Sequence, residues 1–439
     1  MRGRRSFMLE RINHPMKPII GVDFGTTNSV VSILQPDGSL QTRRYAMGAT
    51  DLDVFRTVLC FWAEESRAGT SLHHAAGPHA IEAYVEDPLD SRLIMSMKTY
   101  LAQRSFTQTS IFGRPFTLEA LVALFLKALL GDDYADVRVV AGRPVRFAGE
   151  SADDDHGEAR LRQAFARAGF PDIEVALEPE GAGYRFARTL DAPATVLVGD
   201  FGGGTSDFSV MRFEPGGTRR VTPLGYAGVG IAGDIFDYRI IDHAISPLLG
   251  KGDSYTAMGK RLPVPPDYFT GFARWHKLSL MRAPRTLRDI AAVARTSSHP
   301  ERLQTLIRLI EHEVGYQLYQ AVSTVKAELS RAETATLRFA HEDFVVEQPI
   351  ARQDFEAWIA TDLARLEAAV EEALKRADLE SDAVDRVFLT GGTSFVPAVR
   401  GLFEKRFGAD KVSGGGEFVS VAEGLALIGR DRGRRHLIE

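Results

Sequence analysis

Two short stretches carry the residues best suited to chemistry. The first, residues 19–33, sets Asp23, Gly25, Thr26, Thr27, Asn28 and Ser29 in a tight turn between two apolar, β-branched runs. The second, residues 195–211, repeats the pattern with Asp200, Gly202, Gly203, Gly204, Thr205, Ser206 and Asp207. In each, an Asp-Phe-Gly core ends one strand and leads through a glycine turn into another, the glycine tolerating backbone angles forbidden to other residues. Such a turn can hold a metal-bound phosphate, with the acid toward the metal and turn N–H groups donating to phosphate oxygens. A single copy would read equally well as a hairpin whose Asp caps a turn. Two copies point to a duplicated architecture in which each half offers a loop to a shared cleft.

Four further stretches could serve that cleft. Lys98 stands inside the apolar run 93–101. It either reaches solvent along its own stem or projects inward, where a compact cation would stabilise charge on a transferring phosphoryl group. Glu178 follows the strand-like run 173–177 and precedes Pro179. Fixed there it could orient a water; the alternative is an exposed acid on a surface turn. Residues 225–234, ending in Gly233 and Asp234, are glycine-rich and read either as backbone close to a ligand or as a flexible loop. Residues 387–397 read as a buried strand, a turn at Gly391 and Gly392, and a helix, an order that favours a nucleotide's phosphate or sugar near the helix start.

The elements that position these residues follow from periodicity and punctuation. A strand region is expected over 51–63, a helix over 116–130 with Thr117 as its cap, and a strand over 137–142 ended by Pro144. An acidic loop or helix start over 153–158 leads to a helix over 160–169 stopped by Gly169. Helical periodicity returns over 301–331, 362–377 and 421–429, followed by a solvated basic tail over 430–436. His73, His74 and His79 lack accompanying ligands at metal spacing and are assigned to a solvated loop. Residues 244–310, with Pro263, Pro265, Pro266, Pro284, Trp275, His276 and many arginines, give no clear pattern. If they form a separate unit that makes a private interaction, deleting them should spare ligand binding.

Composition narrows the classes. With 439 residues, 44% of them apolar and 25% charged, the chain can bury a large core and form more than one domain. A net charge of -5 gives no case for nucleic acid or an anionic membrane as partner. The single cysteine, Cys60, lies in an apolar strand-like run, permits no internal disulfide and fits a reducing cytosol. No apolar run has the length to cross a bilayer. The basic head 1–17 lacks the apolar centre of a secretory signal and reads as a frayed extension, with Met16 as an alternative start.

In this order the motifs resemble those of the actin-like ATPase superfamily, and within it the ATPase domain of the DnaK-type heat-shock chaperones. Residues 23–29 are similar to their first phosphate loop, 200–207 to their second and 111–119 to a stretch that opens a helix. Residues 139–147 resemble their strand ending in a proline near the nucleotide, 178–179 their Asn-Glu-Pro segment and 389–397 their adenosine motif. The resemblance implies an α/β fold, duplicated and actin-like (ribonuclease-H-like), with two lobes around a nucleotide cleft. The first lobe would span 18–194, with a C-terminal helix at about 398–439 packing back on it. The second would span 195–397 and include a divergent helical subdomain at about 240–330.

The same resemblance implies roles for residues. Asp23 and Asp200 would hold Mg²⁺ through its waters. Gly25, Thr26, Thr27, Asn28, Gly202, Gly203, Gly204 and Thr205 would contact the phosphates of ATP or ADP. Lys98 would sit by the γ-phosphate, Glu178 would orient the attacking water and Asp207 would support the second loop, with Asp200 and Thr205 completing the catalytic set. Gly233, Lys326, Ser330, Gly391, Gly392, Thr393 and Phe395 would line the nucleoside pocket. Departures concentrate there: Ser323 stands in place of an acid, Ala327 of a cation and Phe395 of an arginine that packs on adenine, while Glu180 replaces the usual Thr after the proline. The sequence ends at Glu439 without the linker, β-sandwich and lid of those chaperones, as in the short YegD-like members, so peptide clamping by the usual route is not expected. The implied function is a cytoplasmic, monomeric, slow ATPase acting as a nucleotide-dependent switch with a co-chaperone or client as protein partner. Alternatives are a non-catalytic ATP-dependent scaffold or filament subunit and, less well supported, a sugar kinase. A kinase needs an acid to deprotonate a substrate hydroxyl, and none distinct from the water-orienting set is identified.

Overall fold

A computed structural model describes residues 17–435 except 48–49, 67–68, 89, 132–136, 149–151, 215–220, 275–277, 279–280, 313 and 415–418. Most of the basic head, together with Trp275, His276 and the end of the basic tail, lies outside the described residues. The first motif forms a hairpin from strands Ile19–Phe24 and Asn28–Leu34, paired antiparallel with Asp23 opposite Val30. Both strands are buried along most of their length, which is why they read as near-continuous apolar runs rather than alternating ones. The second forms the equivalent hairpin from Ala194–Phe201 and Ser206–Phe213, with Asp200 opposite Asp207.

Each hairpin is the centre of a sheet. The first sheet runs Leu40–Thr42, Asn28–Leu34, Ile19–Phe24, Arg138–Arg143, Ile173–Leu177, with Phe55–Arg56 also pairing to Asn28–Leu34. The second runs Val221–Val229, Ser206–Phe213, Ala194–Phe201, Arg386–Thr390, Val412–Gly414. In both, the successive pairings are antiparallel, antiparallel, parallel, parallel. The duplication inferred from two short motifs therefore extends to the topology of the sheets, and the fold is the duplicated α/β one expected.

Helices cover the sheets where the apolar period requires. Leu118–Leu130 is capped by Thr117, whose hydroxyl accepts from the Ala120 N–H at 3.3 Å, and buries Leu121, Phe125 and Leu126 completely or nearly so. The acidic stretch after residue 152 is a helix start: Asp153 caps Asp154–Arg167 by accepting from His156. An apolar cluster of Ile19, Val140, Val196, Val198, Met211 and Leu425 joins the two halves. Helix Ser420–Arg435 lies against the first sheet and helix Glu178–Ala187 without side chains intervening. A Cβ on Gly21 would fall 2.0 Å from the Ala422 carbonyl oxygen, and one on Gly424 only 1.6 Å from that of Gly181.

Several expectations change. Residues 398–439 are not one unit packing back on the first half. Helix Pro397–Phe407 joins the second sheet, with Phe403 at 6.0 Å from both Phe201 and Phe208, and only Ser420–Arg435 returns to the first. The solvated tail is instead the last part of that helix through Arg435, where Arg432 donates to the Val175 carbonyl at 3.2 Å. The histidine loop is a strand, Gly69–Ala76, on Val58–Ser66, followed by helix Pro78–Glu86. There His73 stacks on Trp62 and His74 on Phe61, so the imidazoles are pairing partners across two strands rather than ligands. Residues 225–229 belong to a strand and are not a flexible loop; a Cβ on Gly225 would meet the backbone of helix Arg352–Arg376 at 2.5 Å.

The stretch 244–310 folds into helices that start at its prolines. Pro266–Phe272, Pro284–Ala294 and Pro300–Glu311 each begin with proline, whose missing N–H costs nothing in the first turn. Their buried residues, among them Phe269, Ile290 and Leu306, belong to one continuous core with Leu197, Phe208 and Val210 of the second sheet. They do not form a separate unit. Further on, sequence reasoning missed the hairpin Thr334–His341/Phe344–Ala351 and placed the start of helix Arg352–Arg376 ten residues late.

Candidate functional site

The turns of the two hairpins line one cleft of about 470 Å³. Asp23 and Asp200 occupy matching places near the ends of their strands, and both line it. Lys98 does not reach solvent. It sits in a short helical turn, Met97–Tyr100, and its Nζ donates to Glu178 Oε1 at 2.6 Å, with side chains only 8% and 6% exposed. Glu178 is not on a surface turn either. It opens helix Glu178–Ala187 ahead of Pro179, where the helix dipole favours a carboxylate. Asp207 lies behind the second turn and accepts the backbone N–H groups of Val145 and Arg146 at 2.8 and 3.3 Å, tying the second hairpin to the first half.

Electrostatics mark this end of the cleft. Burial, with the Glu178 charge adding to it, pushes Asp23 up to about 7. Burial and Glu178 likewise push Asp207 up to about 7, and burial and Asp23 hold Asp200 well above the usual carboxylate range. Burial alone would lower Lys98, but Glu178 and Asp23 outweigh it and the ammonium is held above its ordinary value. Lys98 is thus the cation that Asp23, Glu178, Asp200 and Asp207 share. Four buried carboxyl groups around one ammonium make a donor set that fits a divalent ion.

The turns also fit phosphate. A Cβ at position 203 would lie 2.3 Å from Thr27 Oγ1, so the glycine lets the two turns approach closely. Gly25 is glycine for a related reason and not for a left-handed backbone, since its Cβ would fall 2.0 Å from the Asn28 carbonyl oxygen. Thr26, Thr27, Asn28, Gly202 and Thr205 line the cleft with them; Gly204 does not form its wall and backs onto Thr26.

At the other end, Gly233, Lys326, Ser330, Gly391, Gly392, Thr393 and Phe395 all line the cleft. Lys326 Nζ bonds Asp237 at 2.8 Å and the Gly233 carbonyl at 3.1 Å, and the Ser330 hydroxyl donates to the Lys326 carbonyl. Gly391 needs its φ of 87° and its bare Cα, since a Cβ would fall 2.0 Å from the Phe201 carbonyl oxygen. Phe395 remains 52% exposed and lines the cleft together with Ser323 and Ala327. An uncovered aromatic face beside a polar cleft suits stacking on a planar base.

Sequence reasoning missed Arg56, Asp234, Tyr319 and Arg331, which also line the cleft. Arg56 reaches it by strand pairing, donating to Asn28 Oδ1 at 3.0 Å. Burial and Asp237 push Asp234 up to about 6, and burial raises the Tyr319 phenol. A signal for Tyr319 existed. Tyr319, Ser323, Lys326 and Ser330 follow one another at intervals of four, three and four residues, one face of helix Gly315–Leu329 and its cap.

With this geometry in view, the duplicated sheets define an actin-like two-lobe fold. The family model for the Hsp70 protein matches residues 308–430. The chain is 25% identical over 416 residues to the chaperone protein DnaK of Thermosipho africanus, an alignment covering 93% of this chain and 58% of that relative. It is 24% identical over 435 residues to the chaperone protein DnaK of Deinococcus radiodurans, covering 94% and 58%. The chain is thus similar to DnaK-type proteins, and it spans 58% of the length of these relatives.

Proposed function

We propose that the chain binds Mg-ATP in this cleft, hydrolyses it slowly, and uses the bound nucleotide to switch the arrangement of two lobes, residues 18–194 and 195–397. The buried Lys98–Glu178 pair, in electrostatic contact with Asp23 and Asp200, carries the reading. Asp23 and Asp200 would hold Mg²⁺, which supplies charge neutralisation to the phosphates. Gly25, Thr26, Thr27, Asn28, Gly202, Gly203 and Thr205 would donate N–H and hydroxyl groups to phosphate oxygens. Lys98 adds a positive charge where the terminal phosphoryl group would lie, and Glu178 holds the attacking water. Lys98 engages Glu178 Oε1 at 2.6 Å, which leaves the second carboxylate oxygen to accept from the attacking water.

The nucleoside would lie between Lys326, Ser330 and the turn at Gly391 and Gly392, its base on Phe395. By analogy with relatives named as chaperones, protein partners such as a co-chaperone or client complete the proposal, for a monomer acting in the cytoplasm.

Single-turnover hydrolysis of Mg-ATP, beside Lys98→Met and Glu178→Gln, tests this. Slow wild-type turnover that falls by about 100-fold or more in each variant, with nucleotide still bound, is the expected result. Tight binding without wild-type turnover would replace the ATPase with a non-catalytic ATP-dependent scaffold.

A further inference from the structure

We infer that His312, His341 and Glu342 form a site for one divalent transition-metal ion, Zn²⁺ by its donor set, remote from the nucleotide cleft. His312 caps the C-terminus of helix Pro300–Glu311. His341 ends strand Thr334–His341, and Glu342 begins the two-residue turn into Phe344–Ala351. His312 Nδ1 stands 2.8 Å from His341 Nε2 and 3.6 Å from Glu342 Oε1, and one ligand atom from each residue lies within 4.8 Å of the others. Among the described residues this is the group of His, Cys, Asp and Glu side chains with metal-ligand spacing.

The distances match a small tetrahedral ion. Ligands held at the usual Zn–N and Zn–O lengths stand about 3.3 Å from one another, so the two measured sides of the triangle need to change by about half an ångström or less. The chemistry matches too. A 2.8 Å contact between two ring nitrogens requires one of them to offer its lone pair, so at least one ring is neutral, the form that binds metal. Two imidazoles and one carboxylate leave a fourth position for water. Asp343 does not compete for it, because Arg308 holds that carboxylate at 2.9 Å. Glu342 itself has φ 51°, where a turn ordinarily places glycine or asparagine, and this backbone sets its carboxylate beside the imidazoles.

An ion here would clip the end of one helix to the tip of a hairpin. The chain from His312 continues within three residues into helix Gly315–Leu329, against which strand Thr334–His341 packs. The ligands do not line the nucleotide cleft, so the site stands or falls apart from the ATPase reading.

The test is calorimetric titration of the full chain, stripped of metal, with Zn²⁺ alone in the absence of nucleotide and Mg²⁺. The wild type should bind one Zn²⁺ more than the histidine variants and release protons. His312→Gln and His341→Gln should each weaken binding about tenfold or more, on the scale of losing a group that supports a metal ligand. Glu342→Gly removes the carboxylate while suiting the left-handed backbone, so it keeps the turn and should also weaken binding. Co²⁺ should give the visible absorption of a tetrahedral site in the wild type and lose it in the histidine variants. Absence of wild-type binding at millimolar Zn²⁺, or wild-type affinity in Glu342→Gly and in the histidine variants that fold, overturns the site. ATP binding should be unchanged in all three variants.

Discussion

At the scale of single residues, the cleft is a cluster of acids held away from its preferred charge. Asp23 and Asp207 titrate near 7 in the fold against 3.8 when unperturbed. A carboxylate whose pKa rises on folding binds protons more readily in the folded state across that interval. The stability of the ligand-free protein therefore falls as pH rises from about 4 to about 7, the opposite of an ion-paired acid. If Mg-ATP binds as proposed, Mg²⁺ would favour the ionised form and its binding would expel those protons. Affinity for Mg-ATP should fall as the pH drops below 7, by up to about tenfold per unit for each proton displaced. Calorimetry at pH 6 in two buffers of different ionisation enthalpy reads the proton count directly; identical heats in both would contradict the assignment of Asp23. Asp23, Asp200 and the turn glycines were legible because their chemistry is written in five or six consecutive residues. Arg56 was not, since its role arises from pairing with Asn28 across the sheet. Nor was the fate of Lys98, which depends on a partner 80 residues away.

At the scale of elements, helix Ser420–Arg435 is what places Glu178. Its Gly424 touches the Gly181 backbone, in the first turn of the helix that Glu178 opens, and Glu423 pairs with Arg185 one turn further on. Gly424→Val should force the two helices apart and move Glu178 off its partner. We expect a loss of about 2 kcal/mol or more in stability, as for overpacking of a tight core, and a fall in single-turnover rate larger than the change in nucleotide affinity. Denaturant unfolding and the turnover assay together check it. Elements with a strong apolar period, such as Leu118–Leu130, were legible from sequence. The strand Gly69–Ala76 was not: Leu72 and Ala75 give it little β character, and it owes its conformation to Val58–Ser66 beside it. Residues 244–310 gave no clear pattern, although three prolines there, Pro266, Pro284 and Pro300, are helix starts.

At the scale of the whole molecule, contacts between the halves include the apolar cluster around Val198 and Leu425, the Asp207 bonds to Val145 and Arg146, and a smaller cluster where Tyr84 meets Tyr316 edge to face at 6.1 Å. The last contact lies between helices on opposite halves and latches them in the arrangement seen here. Tyr84→Ala should remove an aromatic pair worth about 0.5–1.5 kcal/mol and speed nucleotide release by roughly two- to tenfold, measured with a fluorescent ATP analogue. Deleting 244–310 should abolish cooperative unfolding rather than spare binding, because those residues share the core of the second sheet. The symmetry of the two sheets stops at the site itself. Where the first hairpin sets Val30 opposite Asp23, the second sets Asp207 opposite Asp200. Lys98 and Glu178 come from the first half, whereas Lys326, Ser330, Gly391 and Phe395 come from the second. A near-repeated scaffold thus encloses a cleft to which its two halves contribute different side chains, so the cleft is polar in direction although its frame is not.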